Sequence, residues 1–224
     1  MAGPIALVGG DEFTEPAEAF DRELLKLVEA ESPNVAILPT AAQPENMYLA
    51  AAHGIAHFRR LDADPYGVMI GDRVTADAPM LVEELAGADM VYLTGGWPTH
   101  LLESLRDTLA WKRVVEMHEA GAVLAGSSAG AMVLCETMAF EGKETPGLGV
   151  VPGVTVLPHF ERATEERVQL LRETAGKRTY LGIDGATGCV LVDGAWHVYG
   201  PGRVRLITRS GADVIESGGS FRLT

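Results

Sequence analysis

The segment Ala122–Met132, AVLAGSSAGAM, constrains the fold more than any other part of the chain. A short apolar run enters Gly126-Ser127-Ser128-Ala129-Gly130, and a helix-like stretch follows. This is a G-x-S-x-G pattern centred on Ser128, and it requires a very tight strand-to-helix turn. In such a turn the central residue takes a strained backbone conformation, and its side chain projects from the edge of the sheet. Gly126 and Gly130 suit that geometry because a side chain at either position would meet the crossing strand or helix. Ser127 does not fit the same frame, since Ala125 and Ala129 flank it. The Ala129 N–H would point to where an oxyanion forms, with the positive end of the next helix behind it. A glycine-rich turn serving only packing is the alternative reading of the same residues.

Around this turn, strand-like and helix-like segments alternate. Strands are predicted at Ile5–Val8, Asn34–Pro39, Tyr66–Ile70, Asp89–Leu93 and from Ala122. Helices are predicted over Pro16–Ala30, Asn46–Arg59, Pro79–Leu85 and, as one or two helices, Thr99–Met117. Near-continuous apolar strands between helices predict a mostly parallel sheet covered on both faces, joined by right-handed crossovers. The pattern changes after Glu136. A Gly/Pro-containing segment, Gly142–Gly153, leads to a strand at Val154–Leu157 and a helix at Ala163–Thr174. Short strands follow at Tyr180–Ile183, Cys189–Val192, Trp196–Tyr199, Val204–Ile207 and Asp213–Ile215, with turns at Asp193-Gly194 and Pro201-Gly202. They are expected to add antiparallel strands to the parallel sheet. The 224 residues suit one α/β domain spanning 1–224.

Composition excludes several classes. The net charge of −13 would repel phosphates, so no nucleic-acid partner is expected. No run approaches the roughly 18 apolar residues of a membrane span, so no membrane association is expected. The N-terminal MAGPIALVGGDEF has no basic lead and reads as the first core strand rather than a signal peptide. Cys135 and Cys189 have neither metal nor redox spacing and read as buried thiols in a reducing, cytoplasmic setting.

A serine nucleophile needs a base, and the chain has six histidines. His53 and His57 have the i, i+4 spacing that can hold zinc, but no third ligand accompanies them, so they read as helix-surface residues and no metal site is expected. His118 reads as a helix-surface residue and His197 as part of a hairpin, while His100 follows a glycine turn and could line a pocket. His159, in Pro158-His159-Phe160, follows a strand end, where α/β sheets place their chemistry. A second glycine turn, Thr94-Gly95-Gly96-Trp97, ends the fourth strand and could bring the Gly96 N–H to a ligand. Gly9-Gly10 lacks the third glycine and the lysine of a phosphate loop.

Taken together, Gly9-Gly10, Leu93-Thr94-Gly95-Gly96, Gly126–Ala131, Pro158-His159-Phe160 and Gly182-Ile183-Asp184 occur in an order that resembles one family across nearly the whole chain. It is the serine peptidase family containing alpha-aspartyl dipeptidase (peptidase E) and cyanophycinase. The resemblance implies a flavodoxin-like three-layer α/β fold related to class I glutamine amidotransferases, with no cofactor. It implies Ser128 as nucleophile, His159 as general base, and the Gly96 and Ala129 N–H groups as oxyanion donors. The family takes an acidic third member from the segment between nucleophile and histidine. By position Glu144 fits best and Glu141 next; Glu136 comes early, on the helix expected after the Ser128 turn, and Asp184 is an outside candidate at a strand end. Cyanophycinases carry acidic or amide pairs where this chain has Trp97-Pro98 and Leu157-Pro158, a departure that favours the dipeptidase branch. That branch binds a substrate aspartate with a basic residue beyond the histidine, for which Arg162 and Arg167 are candidates, and Trp97 is a candidate pocket floor. The expected function is hydrolysis of small peptides, Asp-X dipeptides among them. A homodimer is the assembly suggested by analogy. The alternatives are a non-catalytic small-ligand or partner-binding module, and a glutamine amidotransferase-like amidase, against which a serine at position 128 argues.

Overall fold

A computed structural model describes residues 1–223. The first half alternates strands and helices in the order β1 (Ile5–Val8), α1 (Glu18–Leu25), β2 (Asn34–Leu38), α2 (Met47–Arg60), β3 (Asp64–Gly67), α3 (Arg73–Ala76), α4 (Pro79–Glu83), β4 (Met90–Leu93), α5 (Pro98–Leu105), α6 (Leu109–Glu119), β5 (Val123–Ser127) and α7 (Ala129–Leu134). The second half carries β6 (Thr137–Phe140), β7 (Lys143–Pro146), β8 (Val154–Leu157), α8 (Glu165–Thr174), β9 (Thr179–Ile183), β10 (Gly188–Val192), β11 (Ala195–Tyr199), β12 (Arg203–Ile207), β13 (Ala212–Glu216) and β14 (Ser220–Phe221).

The main sheet has the order β14-β11-β10-β1-β5-β4-β2-β3. β1, β5, β4, β2 and β3 run parallel, and β10, β11 and β14 extend the sheet antiparallel beyond β1. Its central strands are apolar on both faces, because both faces are covered. Leu7, Leu38, Leu93 and Leu124 enter one core layer. Ala6, Val8, Ile37, Tyr92 and Ala125 alternate with them into the opposite layer, with Phe20 and Phe58 from the helices. Each such large apolar side chain contributes about 1.5–3 kcal/mol on burial.

The second half departs from expectation. Only β10, β11 and the short β14 join the main sheet. β13, β12, β9 and β8 form a separate four-stranded sheet in which β8 and β9 are parallel. The reason is packing: Val154, Val156, Leu181, Ile183 and Val204 bury against Met132, Val133 and Leu134 of α7, in a layer shared with the main sheet. An additional hairpin, β6–β7, pairs Thr137 with Pro146 and Phe140 with Lys143.

Smaller boundaries also move. β3 begins two residues before the predicted Tyr66 and ends at Gly67. Val68 and Ile70 are fully buried, which gives the sequence its apolar run, but the Ile70 N–H already turns back to Val68 O. α1 ends at Leu25 because the following N–H groups of Leu27 and Val28 bond three residues back, tightening the chain out of α-geometry.

Candidate active site

The turn between β5 and α7 has the strain its sequence implies. Ser128 sits at φ 47°, ψ −107°, a sparsely populated region for a residue with a side chain. The glycines around it are required by contact. A Cβ on Gly126 would lie 2.5 Å from the carbonyl carbon of Gly130, and one on Gly130 would lie 2.4 Å from Leu93 O. The helix therefore crosses directly over β4 and β5, and Ser128 is held at the C-terminal edge of the parallel strands. The Ala129 N–H opens α7, in the first turn, where N–H groups have no intrahelical acceptor.

His159 reaches the same edge from the other sheet. It follows β8 in the left-handed region, at φ 51°. The end of β1 anchors both residues. Val8 O accepts the Ser128 N–H at 2.9 Å, and Gly9 O accepts the His159 N–H at 2.9 Å. The imidazole lies against Gly10, where a Cβ would stand 2.3 Å from Cε1 and 2.4 Å from Nε2. Gly9-Gly10 is thus a packing seat for the histidine, a role with no trace in the local sequence.

The residues after this seat were not singled out from sequence. Glu12 bridges two parts of the site: one carboxylate oxygen accepts the Gly95 N–H at 2.6 Å, and the other accepts the Ser127 hydroxyl at 2.8 Å. Phe13 secures the loop by packing among Tyr92, His57 and Phe58, with ring centroids 5.2, 5.7 and 6.0 Å away. Asp11 places Oδ1 3.9 Å from His159 Nδ1. An acidic pair directly after a glycine turn at the end of the first strand was the available signal. It could be read only once β1 was known to lie beside β5.

The glycine turn after β4 is shaped by a neighbour. Gly96 has φ 137°, and a Cβ there would lie 2.3 Å from Ala41 O, which accepts the Trp97 N–H at 2.8 Å. Gly95, not Gly96, gives its N–H to Glu12, and a Cβ on Gly95 would come 3.3 Å from Ser128 Cβ. The two glycines therefore bring this turn against the serine. Trp97 is partly exposed and packs edge-on to Phe140, with centroids 6.1 Å apart.

Three of the four acidic residues named from sequence have partners elsewhere. Glu144, on β7, pairs with Arg178. Glu136 accepts the Gly153 N–H. Asp184 accepts the Arg203 N–H at 3.2 Å, and burial raises its carboxyl above the usual range against the opposing pull of Arg203. Glu141 lies in the β6–β7 turn at φ 51° and lines a groove of about 330 Å³ with Glu144, Leu157, Arg167 and Tyr180. Arg167 is exposed on α8, while Arg162 is largely exposed, with Nε 3.3 Å from Glu161.

Two histidines differ from expectation. His57 is fully buried, with Nε2 2.7 Å from Asp21 Oδ2, because α2 packs that face onto α1. His118 is also largely buried. His100 Nε2 lies 2.8 Å from Gly71 O. Among the described residues, no three His, Cys, Asp or Glu side chains gather as a metal site, and no helix is long and apolar enough to cross a membrane.

Several known proteins resemble this chain in sequence or fold. Two cyanophycinases, from Synechococcus elongatus and Thermosynechococcus vestitus, are each 27% identical over 188 residues, covering 77% of this chain and 58% of their own lengths. The chain therefore spans little more than half of those curated relatives. A cyanophycinase from Geminocystis herdmanii is also 27% identical, over 77% of this chain and 68% of its own. The crystal structure of a peptidase from an acI-B1 Actinobacterium superposes with a TM-score of 0.88 at 27% identity, covering 100% of this chain and 98% of the other. A putative peptidase E protein from Listeria monocytogenes EGD-e shares the fold, with a TM-score of 0.66 at 17% identity over 90% of this chain and 100% of its own. The sequence model of peptidase family S51 matches residues 5–199, from β1 through β11. The chain belongs to peptidase family S51.

Proposed function

We propose that the protein is a serine-type peptidase acting on small peptides, with Ser128 as nucleophile and His159 as general base. One observation carries this reading: consecutive carbonyls at the end of β1 and just beyond it, on Val8 and Gly9, fix the backbones of Ser128 and His159 at one sheet edge. Membership of peptidase family S51 supports it.

In the reaction, Ser128 Oγ attacks the peptide carbonyl carbon as His159 takes the hydroxyl proton. The carbonyl oxygen becomes an oxyanion, held by the N–H groups of Ala129 and Gly96. Collapse of this intermediate breaks the C–N bond, and His159 gives its proton to the leaving amine. Water then attacks the acyl-enzyme, with His159 taking its proton; the bond from the acyl carbon to Ser128 Oγ breaks, His159 returns the proton to Oγ, and the carboxylic acid leaves. The side chains suffice for these steps without a cofactor. Glu12 holds the Gly95-Gly96 turn in place through the Gly95 N–H.

For substrate choice we propose short peptides with an acidic residue, Asp-X dipeptides among them. Arg167 is the cation suited to this, since it lines the groove that extends to Leu157, two residues before His159. A guanidinium offers a carboxylate two parallel hydrogen bonds. A panel of dipeptides differing in the first residue, followed by mass spectrometry, tests the proposal. Cleavage of Asp-X by wild type but not by Ser128→Ala supports it. Cleavage of none of the panel contradicts it.

A further inference from the structure

His159 carries a ring nitrogen with an unmet need. Its Nδ1 is buried and has no hydrogen-bond partner among the described residues. If Nε2 is to take the serine proton, the neutral ring must already hold a proton on Nδ1, and that N–H needs an acceptor. The carboxylates around the site are mostly committed. Glu12 is shared between Gly95 and Ser127, Asp184 faces Arg203, and Glu161 accepts the Gly185 N–H at 2.9 Å.

Asp11 is different. Its Oδ1 stands 3.9 Å from His159 Nδ1, and its side chain is about half exposed at 52%. Its backbone, at φ 55°, is in the left-handed region that Asp tolerates, and the Thr14 hydroxyl closes the turn onto Asp11 O at 2.6 Å. Space for the carboxylate comes from Gly185. A Cβ there would lie 2.2 Å from Asp11 Oδ2. Gly185 is not among the positive-φ glycines, so its bare Cα is explained by this contact rather than by backbone conformation.

We propose that Asp11 is the positioning carboxylate for His159, accepting the Nδ1–H and stabilising the imidazolium as Nε2 takes the serine proton. This rests on the assignment of His159 as base. The acid thus comes from the loop after the first strand, and not from the segment between nucleophile and histidine. A side-chain rotation of about 1 Å at the carboxylate would convert the present 3.9 Å approach into a hydrogen bond.

The test uses the full chain and three variants: Asp11→Asn, Gly185→Ala and Ser128→Ala. A fluorophosphonate labelling rate is measured for each, and the His159 tautomer is read from imidazole ¹⁵N shifts. Asn in place of Asp presents an amide N–H that favours the opposite tautomer. The expected result is labelling of wild type at Ser128, slowed by about 10²–10⁴-fold in Asp11→Asn with little change in thermal midpoint. His159 should pass from the Nδ1–H to the Nε2–H form in that variant. Gly185→Ala, which keeps the carboxylate but intrudes on its place, should slow labelling in the same direction, and it stands alone if Asp11→Asn does not fold.

Labelling of Asp11→Asn within threefold of wild type overturns the proposal. So does slowed labelling with an unchanged tautomer, since that is the mark of a merely structural role. Failure of wild type to label defeats the assignment of Ser128 and His159 instead. The tautomer comparison between wild type and Asp11→Asn still decides whether Asp11 holds the ring.

Discussion

At the scale of single residues, the site depends on a few contacts that admit no substitute. Gly130 is the clearest. Gly130→Ala would force a Cβ to within 2.4 Å of the Leu93 carbonyl, a backbone atom that cannot rotate away. The expected cost is about 1–3 kcal/mol, read as a fall of several degrees in the thermal midpoint by scanning calorimetry. An unchanged midpoint would mean that the turn between β5 and α7 can yield to a side chain at Gly130. Glu12→Ala removes the acceptor for both the Gly95 N–H and the Ser127 hydroxyl, and a loss of about 1–3 kcal/mol per buried group left unpaired is expected in urea unfolding. The positions of Ser128 and His159 at strand ends were legible because each sits in a local pattern, the tight G-x-S-x-G turn and a histidine just past a strand. Asp11, Glu12 and the seat at Gly10 were not, because their meaning depends on which strand β1 lies beside. Glu144, weighed from the segment before His159, is drawn off for the same reason: Arg178 comes beside it only where the chain returns just before β9.

At the scale of elements, the order of strands in the alternating half was readable, since a parallel sheet buried on both faces imposes long apolar runs, but the bounds of β3 and α1 and the short α3 were not. The second half was less so. Short strands at regular spacing look alike whether they extend one sheet or build another, and only the burial of Val156 and Leu181 against α7 decides the matter. α1 and α2 carry a feature the helical pattern hid, the buried pair Asp21–His57. Burial raises the Asp21 carboxyl above its usual range, while the hydrogen bond and charge of His57 work against that rise. His57→Ala would leave both a void and an unmatched buried carboxylate, at an expected cost of about 3–5 kcal/mol near neutral pH. The sign of its pH dependence follows. A carboxyl whose folded-state pKa is raised binds its proton more tightly when folded, so its contribution to stability weakens as pH rises through that value and recovers as pH falls. The deficit of His57→Ala measured by denaturation should therefore shrink on acidification. A deficit independent of pH would show that Asp21 is not the group left exposed to the change.

At the scale of the whole molecule, the two layers packed on either side of the main sheet leave no path to the thiols. Cys135 and Cys189 are fully buried, and burial pushes the Cys135 thiol up to about 12 and Cys189 higher still. Neither should react with Ellman's reagent at pH 8 in the folded protein, and both should react in guanidinium. Reaction of either thiol in the native state would contradict the packing of α7 against β8 or of β10 against β1. That same packing places the ends of β1, β5 and β8 at one edge, where the proposed chemistry takes place. The most direct measurement is intact-mass analysis after treatment with a fluorophosphonate, on wild type, Ser128→Ala and His159→Ala. A single adduct on wild type, absent from Ser128→Ala and at least about a hundredfold slower in His159→Ala, is the predicted result. A folded wild-type protein that takes no adduct, or one that labels equally without His159, would contradict the claim that this edge holds an activated serine.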